Sequence, residues 1–432
     1  MKAAYQIKPN SYTAMLGSFI ASHVISDSLI FLCYGIGCKA QMTHSMANLD
    51  NKNMSYTSRM GWSEFDEEDY IEGNMKKIYS AVLGQLNRYD AGFMPVTISP
   101  VFKLLGLDIK GYSRYLADEF NAPIEYVEMS GADSAFWEGY VEVMRSFSHT
   151  IDWTRRPQKG VVNIWGYPFD RYENEHNNDV KVLRKMVASL GLEAEAVFFS
   201  GDSSENLRKA NQGQCNIILP HASTIGSYLQ KTSNRPSLFT DIPFGPEGTE
   251  RWLKKIARVF KKEMPAEFTT KKAEVMDQFH MIKERLKGRK AILILDLPWV
   301  GSFARFMTDL GIEIETIIVK DGYYGKPELA KKMIEFYDIK DPDATITDQI
   351  DYDFLYELAK KKPDIVVGAS PEIAPFKEQG IPTFTFGFPS YDQHHEEEDA
   401  SFLGLEGALF MTQKIENAML SRKPIIDKEQ GH

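Results

Sequence analysis

VVNIWGY, residues 161–167, is followed by NNDVKVLRKMVASLG, 177–191, and then by EAEAVFFSG, 193–201. The first is an unbroken apolar run of the length of a buried strand. The second puts Val180, Leu183, Val187 and Leu190 on one helical face and ends at Gly191, which suits a helix C-terminus. The third is a second buried strand. SSENLRKAN (203–211) opens with Ser203 and Ser204, residue types that cap helix N-termini. CNIILP (215–220) predicts a strand and STIGSYLQKT (223–232) a helix. This alternation predicts a parallel sheet with helices on both faces.

The pattern extends in both directions. A charged helical stretch, 248–288, is broken at Pro265. A second α/β series then begins with KAILILD (290–296). It continues through helix 299–311, strand IEIETIIVK (312–320) and helices KPELAKKMIEFYD (326–338) and YDFLYELAKKK (352–362). Strands PDIVVGAS and PTFTFGFP follow, and the helical pattern 402–420 closes the series. The first 150 residues alternate less regularly. Helices are predicted over 74–86 and 108–120, and strands over 92–100 and 122–131. The fold class expected is α/β, with three Rossmann-like domains of parallel sheets flanked by helices. Their expected bounds are 1–155, 156–288 and 289–432.

The 432 residues are 43% apolar and 25% charged, as in ordinary globular proteins. A net charge of −10 disfavours nucleic acid, whose phosphates call for a basic surface. Three cysteines make no disulfide framework and fit a reducing compartment. The start, MKAAYQIKPNSYTAML, lacks a signal-peptide pattern. The longest apolar runs, such as AILILDLPWV, fall short of the roughly 20 residues of a membrane span. A cytoplasmic protein without membrane contact is expected.

LIFLCYGIGCKAQ, 29–41, carries the chemistry. GIGCKA has the first two glycines of a dinucleotide fingerprint but not the third, and no GK[ST] is present, so neither nucleotide motif is supported. Cys33 and Cys38 support two chemistries. As thiolates they would hold iron, with Gly35 and Gly37 letting the backbone approach an inorganic core. As thiols they would be small buried hydrophobes. Spacing alone favours the second, because two thiolates do not complete a four-ligand site. Cys215 opens a strand and suits the core. His394 and His395 lie in an acidic stretch that suits a solvated loop better than a metal site. His221 follows a strand end, where α/β proteins take ligands. His149 and His176 have no such context. Asp66, Glu67, Glu68 and Asp69 suit a helix N-terminus.

Several segments, in order, resemble the nitrogenase component 1 family. They are CYGIGC (33–38); SEFDEEDYIEGNMKKIYSAV (63–82), with Glu64, Asp66, Gly73 and Lys77; ISPVFKLLGLDIKGYSRYL (98–116); NIILPHAST; IPFGPEGTERWLKKIA; KPDIVVGASPEIAPFKEQGIPTFTFGFPSYDQ; and FLGLEGALFMTQKIENAML. The resemblance places Cys38 at the family's cluster-ligand turn. It finds no cysteine at the family's other two ligand positions, one N-terminal and one at Ser99 or Pro100. The cofactor cysteine of α-type chains falls near Pro220. A single ligand is similar to β-type chains such as subunit Z of chlorophyllide reductase or the β chain of the nitrogenase cofactor-assembly scaffold.

The resemblance therefore implies a subunit of an ATP-dependent two-component reductase, an oxidoreductase catalytic only with a partner. Cys38 would be the metal ligand of a 4Fe–4S cluster shared with an α-type partner in a heterotetramer. Cys33, Gly35 and Gly37 would line that cofactor. An ATP-dependent iron protein would deliver electrons, and a tetrapyrrole or other small unsaturated molecule would accept them. Pairing with a second copy of itself would bring four thiolates together and make Cys33 a ligand. A metallocofactor-assembly scaffold and a metal-free Rossmann-type binding protein are the alternatives.

Overall fold

The computed structural model describes residues 13–34, 59–98, 104–128, 135–167, 174–320, 345–347, 350–391 and 397–421. Strands β1 (Ile30–Cys33), β2 (Met60–Trp62), β3 (Met94–Ile98) and β4 (Ile124–Tyr126) form a sheet in the order β2-β1-β3-β4. Strands β5 (Val161–Trp165), β6 (Glu193–Val197), β7 (Cys215–Ile218) and β8 (Ser237–Phe239) form a second, ordered β6-β5-β7-β8. The third contains β9 (Lys290–Asp296), β10 (Glu313–Lys320), β11 (Thr345–Thr347), β12 (Ile365–Gly368) and β13 (Thr383–Thr385), ordered β11-β10-β9-β12-β13. The pairings are parallel throughout. This is the α/β architecture the sequence predicts.

In each sheet the chain works outward on one side of its first strand and then crosses to the other. That reversal opens a crevice at the carboxyl ends between β1 and β3, between β5 and β7, and between β9 and β12. The described residues within 13–167 and 187–240 form one compact unit with the first two sheets. Those within 174–186 and 241–421 form another with the third. The central strand of the third sheet is an apolar run, with Ala291–Leu295 at most 1% exposed, as a sheet covered on both faces favours. The second sheet buries Asn163 and Asn216 and links them in a network, in which Asn163 Oδ1 is left without a partner. Asn163 Nδ2 donates to Ala210 O at 2.9 Å and Asn216 Oδ1 at 3.0 Å, and Trp165 Nε1 donates to the same Oδ1 at 3.0 Å. Buried amides persist only with such partners.

The predicted helix at 177–191 runs from Asn174 to Ser189, and the 248–288 stretch resolves into Gly245–Phe260 and Ala266–Leu286 around Pro265. The helix predicted at 326–338 lies outside the described residues. Among the described helices that the sequence reading leaves out are Ala14–His23, Phe136–His149 and Ser370–Glu378. Ala14–His23 is buried almost throughout and so has no polar face to mark its period. Its partner, Phe136–His149, packs against it at Gly17 and Gly139.

Arg59 closes the C-terminus of Ala14–His23. Its guanidinium donates to His23 O at 2.8 Å, Ile25 O at 2.8 Å and Ser26 O at 3.1 Å, and lies 3.1 Å from His23 Nε2. Burial, and after it the Arg59 charge, hold the imidazole down from 6.5 to about 3. The unfolded chain therefore takes up this proton more readily than the folded one. The stabilisation is complete above pH 6.5 and is lost as pH falls toward 3, by up to about 1.4 kcal/mol per pH unit. The urea midpoint should fall between pH 6.5 and 5, and His23→Gln should flatten that slope. An unchanged slope in the variant would refute the assignment.

Candidate functional site at the carboxyl edge of the first sheet

β1 ends at Cys33, in register with Ile98 of β3 across the first crevice. The side chain of Cys33 is fully buried in the apolar cluster that includes Phe31, Phe65 and Ile98. Burial pushes its thiol far above the usual cysteine range. Cys33 is thus packed as a small buried hydrophobe beside Phe31, Phe65 and Ile98. Gly35, Gly37 and Cys38 lie outside the described residues.

Residues 63–65 are tied to this strand end. Ser63 N donates to Leu32 O at 3.1 Å, Tyr34 N to Ser63 Oγ at 3.2 Å and Phe65 N to Tyr34 O at 3.4 Å. Between these anchors Glu64 takes a left-handed conformation, φ +50. Asn121, Asn234 and Lys261 also have positive φ, but each is the C-cap of a helix, where that conformation ends the helix, and Lys362 lies in the turn two residues past the C-cap Lys360. Glu64 has no such cause, and strain of this kind concentrates at functional edges.

The acidic run does what the sequence suggests. Asp66 caps the helix Glu67–Glu72, and Asp69 returns a bond from its side chain to the Asp66 N–H. Asp69 also accepts from Asn74 Nδ2 at 2.8 Å and from Lys77. Those bonds, the Lys77 one first, hold its carboxyl down to about 2. Gly73, φ +63, ends the helix against Leu107. Glu64, Asp66, Gly73 and Lys77 thus form one rigid corner beside Cys33. Around it Ile71 and Leu104 stand 86% exposed.

The remaining predicted residues are dispersed. Cys215 begins β7, buried, with its thiol pushed up to about 11 by burial. His176 is buried on the helix Asn174–Ser189. His149 Nε2 lies 2.7 Å from Tyr228 OH and Nδ1 lies 3.5 Å from Glu125 Oε2. His221 is buried in the turn leaving β7, edge-on to Trp137, and burial holds its pKa well below the usual value. His394, His395, Ser99 and Pro100 lie outside the described residues. Among the described residues, no three His, Cys, Asp or Glu side chains are placed to hold a metal, and no helix is long and apolar enough to cross a membrane.

The sequence model described as "Nitrogenase component 1 type Oxidoreductase" matches residues 13–420. The chain belongs to the nitrogenase component 1 family. It is 21% identical over 443 residues to a nitrogenase molybdenum-iron protein beta chain of Methanococcus maripaludis, covering 94% of this chain and 93% of that one. It is 24% identical to the corresponding chain of Azotobacter vinelandii, covering 98% and 85%. The light-independent protochlorophyllide reductase subunit N of Leptolyngbya boryana is 21% identical, covering 88% and 85%. The fold matches a chain of nitrogenase Cp1 at pH 6.5 with a TM-score of 0.84 at 17% identity, over 97% of this chain and 94% of that one. The chain is therefore a member of an oxidoreductase family with the nitrogenase component 1 fold.

Proposed function

We propose that this chain is the β-type subunit of an ATP-dependent two-component reductase, and that Cys38 gives one thiolate to a 4Fe–4S cluster completed by an α-type partner. Family membership supports the class. The carrying observation is the burial of Cys33, which withdraws the other thiol of the stretch into the core and leaves Cys38. Such a cluster supplies one-electron transfer when bound. This chain's own part is to present Cys38 from a strand end fixed by the Ser63–Phe65 contacts, and to keep water from that strand end with the apolar cluster around Phe31 and Phe65. We place iron-protein docking at the acidic helix Glu67–Glu72, which carries the exposed Ile71. A tetrapyrrole or another small unsaturated molecule is the proposed substrate.

The test is anaerobic purification of the chain alone and co-expressed with an α-type chain of the family, followed by iron analysis and EPR. The pair should hold about four irons. Cys38→Ser should lose or alter them and Cys33→Ser should keep them. Iron bound by the chain alone and lost in Cys33→Ser would favour a homodimer. No iron after reconstitution would end the redox assignment.

A further inference from the structure

Three charged side chains meet at the carboxyl edge of the third sheet. Asp296 ends β9 and Lys320 ends β10, in register across the pair. Glu372 stands in the first turn of the helix Ser370–Glu378, which follows β12. All three are buried, and Lys320 Nζ lies 2.9 Å from Glu372 Oε1. The same ammonium donates to Phe388 O at 2.9 Å, in the segment that leaves β13. Lys320 therefore reaches from β10 past the end of β9 to the elements that follow β12 and β13. This is the β9/β12 reversal, the place where open α/β sheets take ligands.

Two observations show that this edge does not satisfy itself. Glu372 Oε2 is buried and has no hydrogen-bond partner among the described residues. A buried carboxylate oxygen ordinarily has one. At the same edge the backbone leaves room. Gly387, buried and at φ +88, precedes Phe388. Chain neighbours apart, the one atom of the described residues within 4 Å of a Cβ added there is Asp296 Oδ2, at 4.0 Å. Solvent is close, because Ser370 Oγ accepts at 2.8 Å from the N–H of Tyr391, which is 47% exposed. The space is bordered by oxygens of Asp296, Glu372 and Phe388, with two carboxyl groups to the single ammonium of Lys320.

We propose that this edge binds a small primary amine in its ammonium form, with one N–H donated to Glu372 Oε2 and the charge facing Asp296. An ammonium supplies both things the edge calls for, a donor for the open oxygen and a second cation for the two carboxylates. An anion would meet those carboxylates, and an alkyl group would leave Oε2 unmet. The site uses no residue of the first sheet and is independent of the function proposed above.

The experiment is thermal unfolding of the full-length chain in methylammonium chloride and in tetramethylammonium chloride at equal ionic strength. The second cation carries the same charge without an N–H. Methylammonium should raise the Tm above its value in tetramethylammonium by about 1 °C or more at about 100 mM. The gain should saturate, with half its effect at roughly 10 mM, near the limit for a ligand of two heavy atoms. Glu372→Gln keeps the side-chain shape and should erase the gain. Gly387→Ala should also erase it, by putting a methyl into the space while leaving Glu372 and Lys320 in place. If neither variant folds, the wild type decides. A response equal in the two salts, or one that rises without saturating, overturns the site. A folded variant that keeps the wild-type gain overturns it as well. A saturating gain in a protein that never binds iron keeps this site and rejects the redox function.

Discussion

Asp179→Ala should destabilise the unit that holds the third sheet by about 3–5 kcal/mol, the cost of removing one partner from a buried charged network. Asp179 is fully buried on the helix Asn174–Ser189. Its Oδ1 accepts from Ser401 Oγ at 2.6 Å, Phe402 N at 2.7 Å and Leu403 N at 3.0 Å. These donors lead directly into the C-terminal helix Gly404–Leu420. Alanine would strand them away from water, and each unmet donor costs about 1–3 kcal/mol. Asp179→Asn keeps the acceptor oxygen but loses the charge, and should cost less than half as much. Hydrogen exchange gives the clearest readout. Protection at the Phe402 and Leu403 amides should fall by about a hundredfold or more, since each 1.36 kcal/mol is tenfold. Protection within threefold of the wild type would show that Asp179 does not hold this junction.

Gly17→Ala should cost about 3 kcal/mol or more, the upper range for overpacking. A Cβ on Gly17 would lie 1.9 Å from Phe136 O, and one on Gly139 would lie 2.0 Å from Ala14 O. Both obstacles are backbone, so no rotamer change relieves them and the two helices must separate. Gly139→Ala should cost a similar amount. The double variant should cost less than the sum, because one separation serves both. Gly84→Ala is the control. It lies inside the helix Met75–Leu86 with nothing within 4 Å of the added carbon. It should be neutral or stabilising by up to about 1 kcal/mol. Urea unfolding at neutral pH separates the cases, and a Gly17→Ala midpoint matching that of Gly84→Ala would refute the close contact.

Amphipathic helices and long buried strands were legible because their signal is local. The 3.6-residue period of 177–191 and the apolar runs at 161–165 and 290–296 need no knowledge of partners. Ser203 and the acidic run at Asp66 were legible for the same reason, as a cap contacts its own first turn. The short strands β2 and β8, each three residues long, carry too little pattern to be seen. The helix Ala14–His23 was hidden by its uniform burial. At the site, the spacing of Cys33 and Cys38 left both readings open. The fate of Cys33 followed from its strand direction, which turns the thiol into the cluster with Phe31 and Phe65.

The amino-acid order by itself determined the alternation of strand and helix, hence the parallel α/β class, and the family to which the chain belongs. Those properties depend on neighbours a few residues apart. The tertiary structure alone decided that Cys33 is core, that Glu64 is held in a left-handed corner beside it, and that Asp179 binds residues 401–403. Each depends on groups distant in sequence whose contact exists only once burial has fixed which side chains leave water and which donors must find partners.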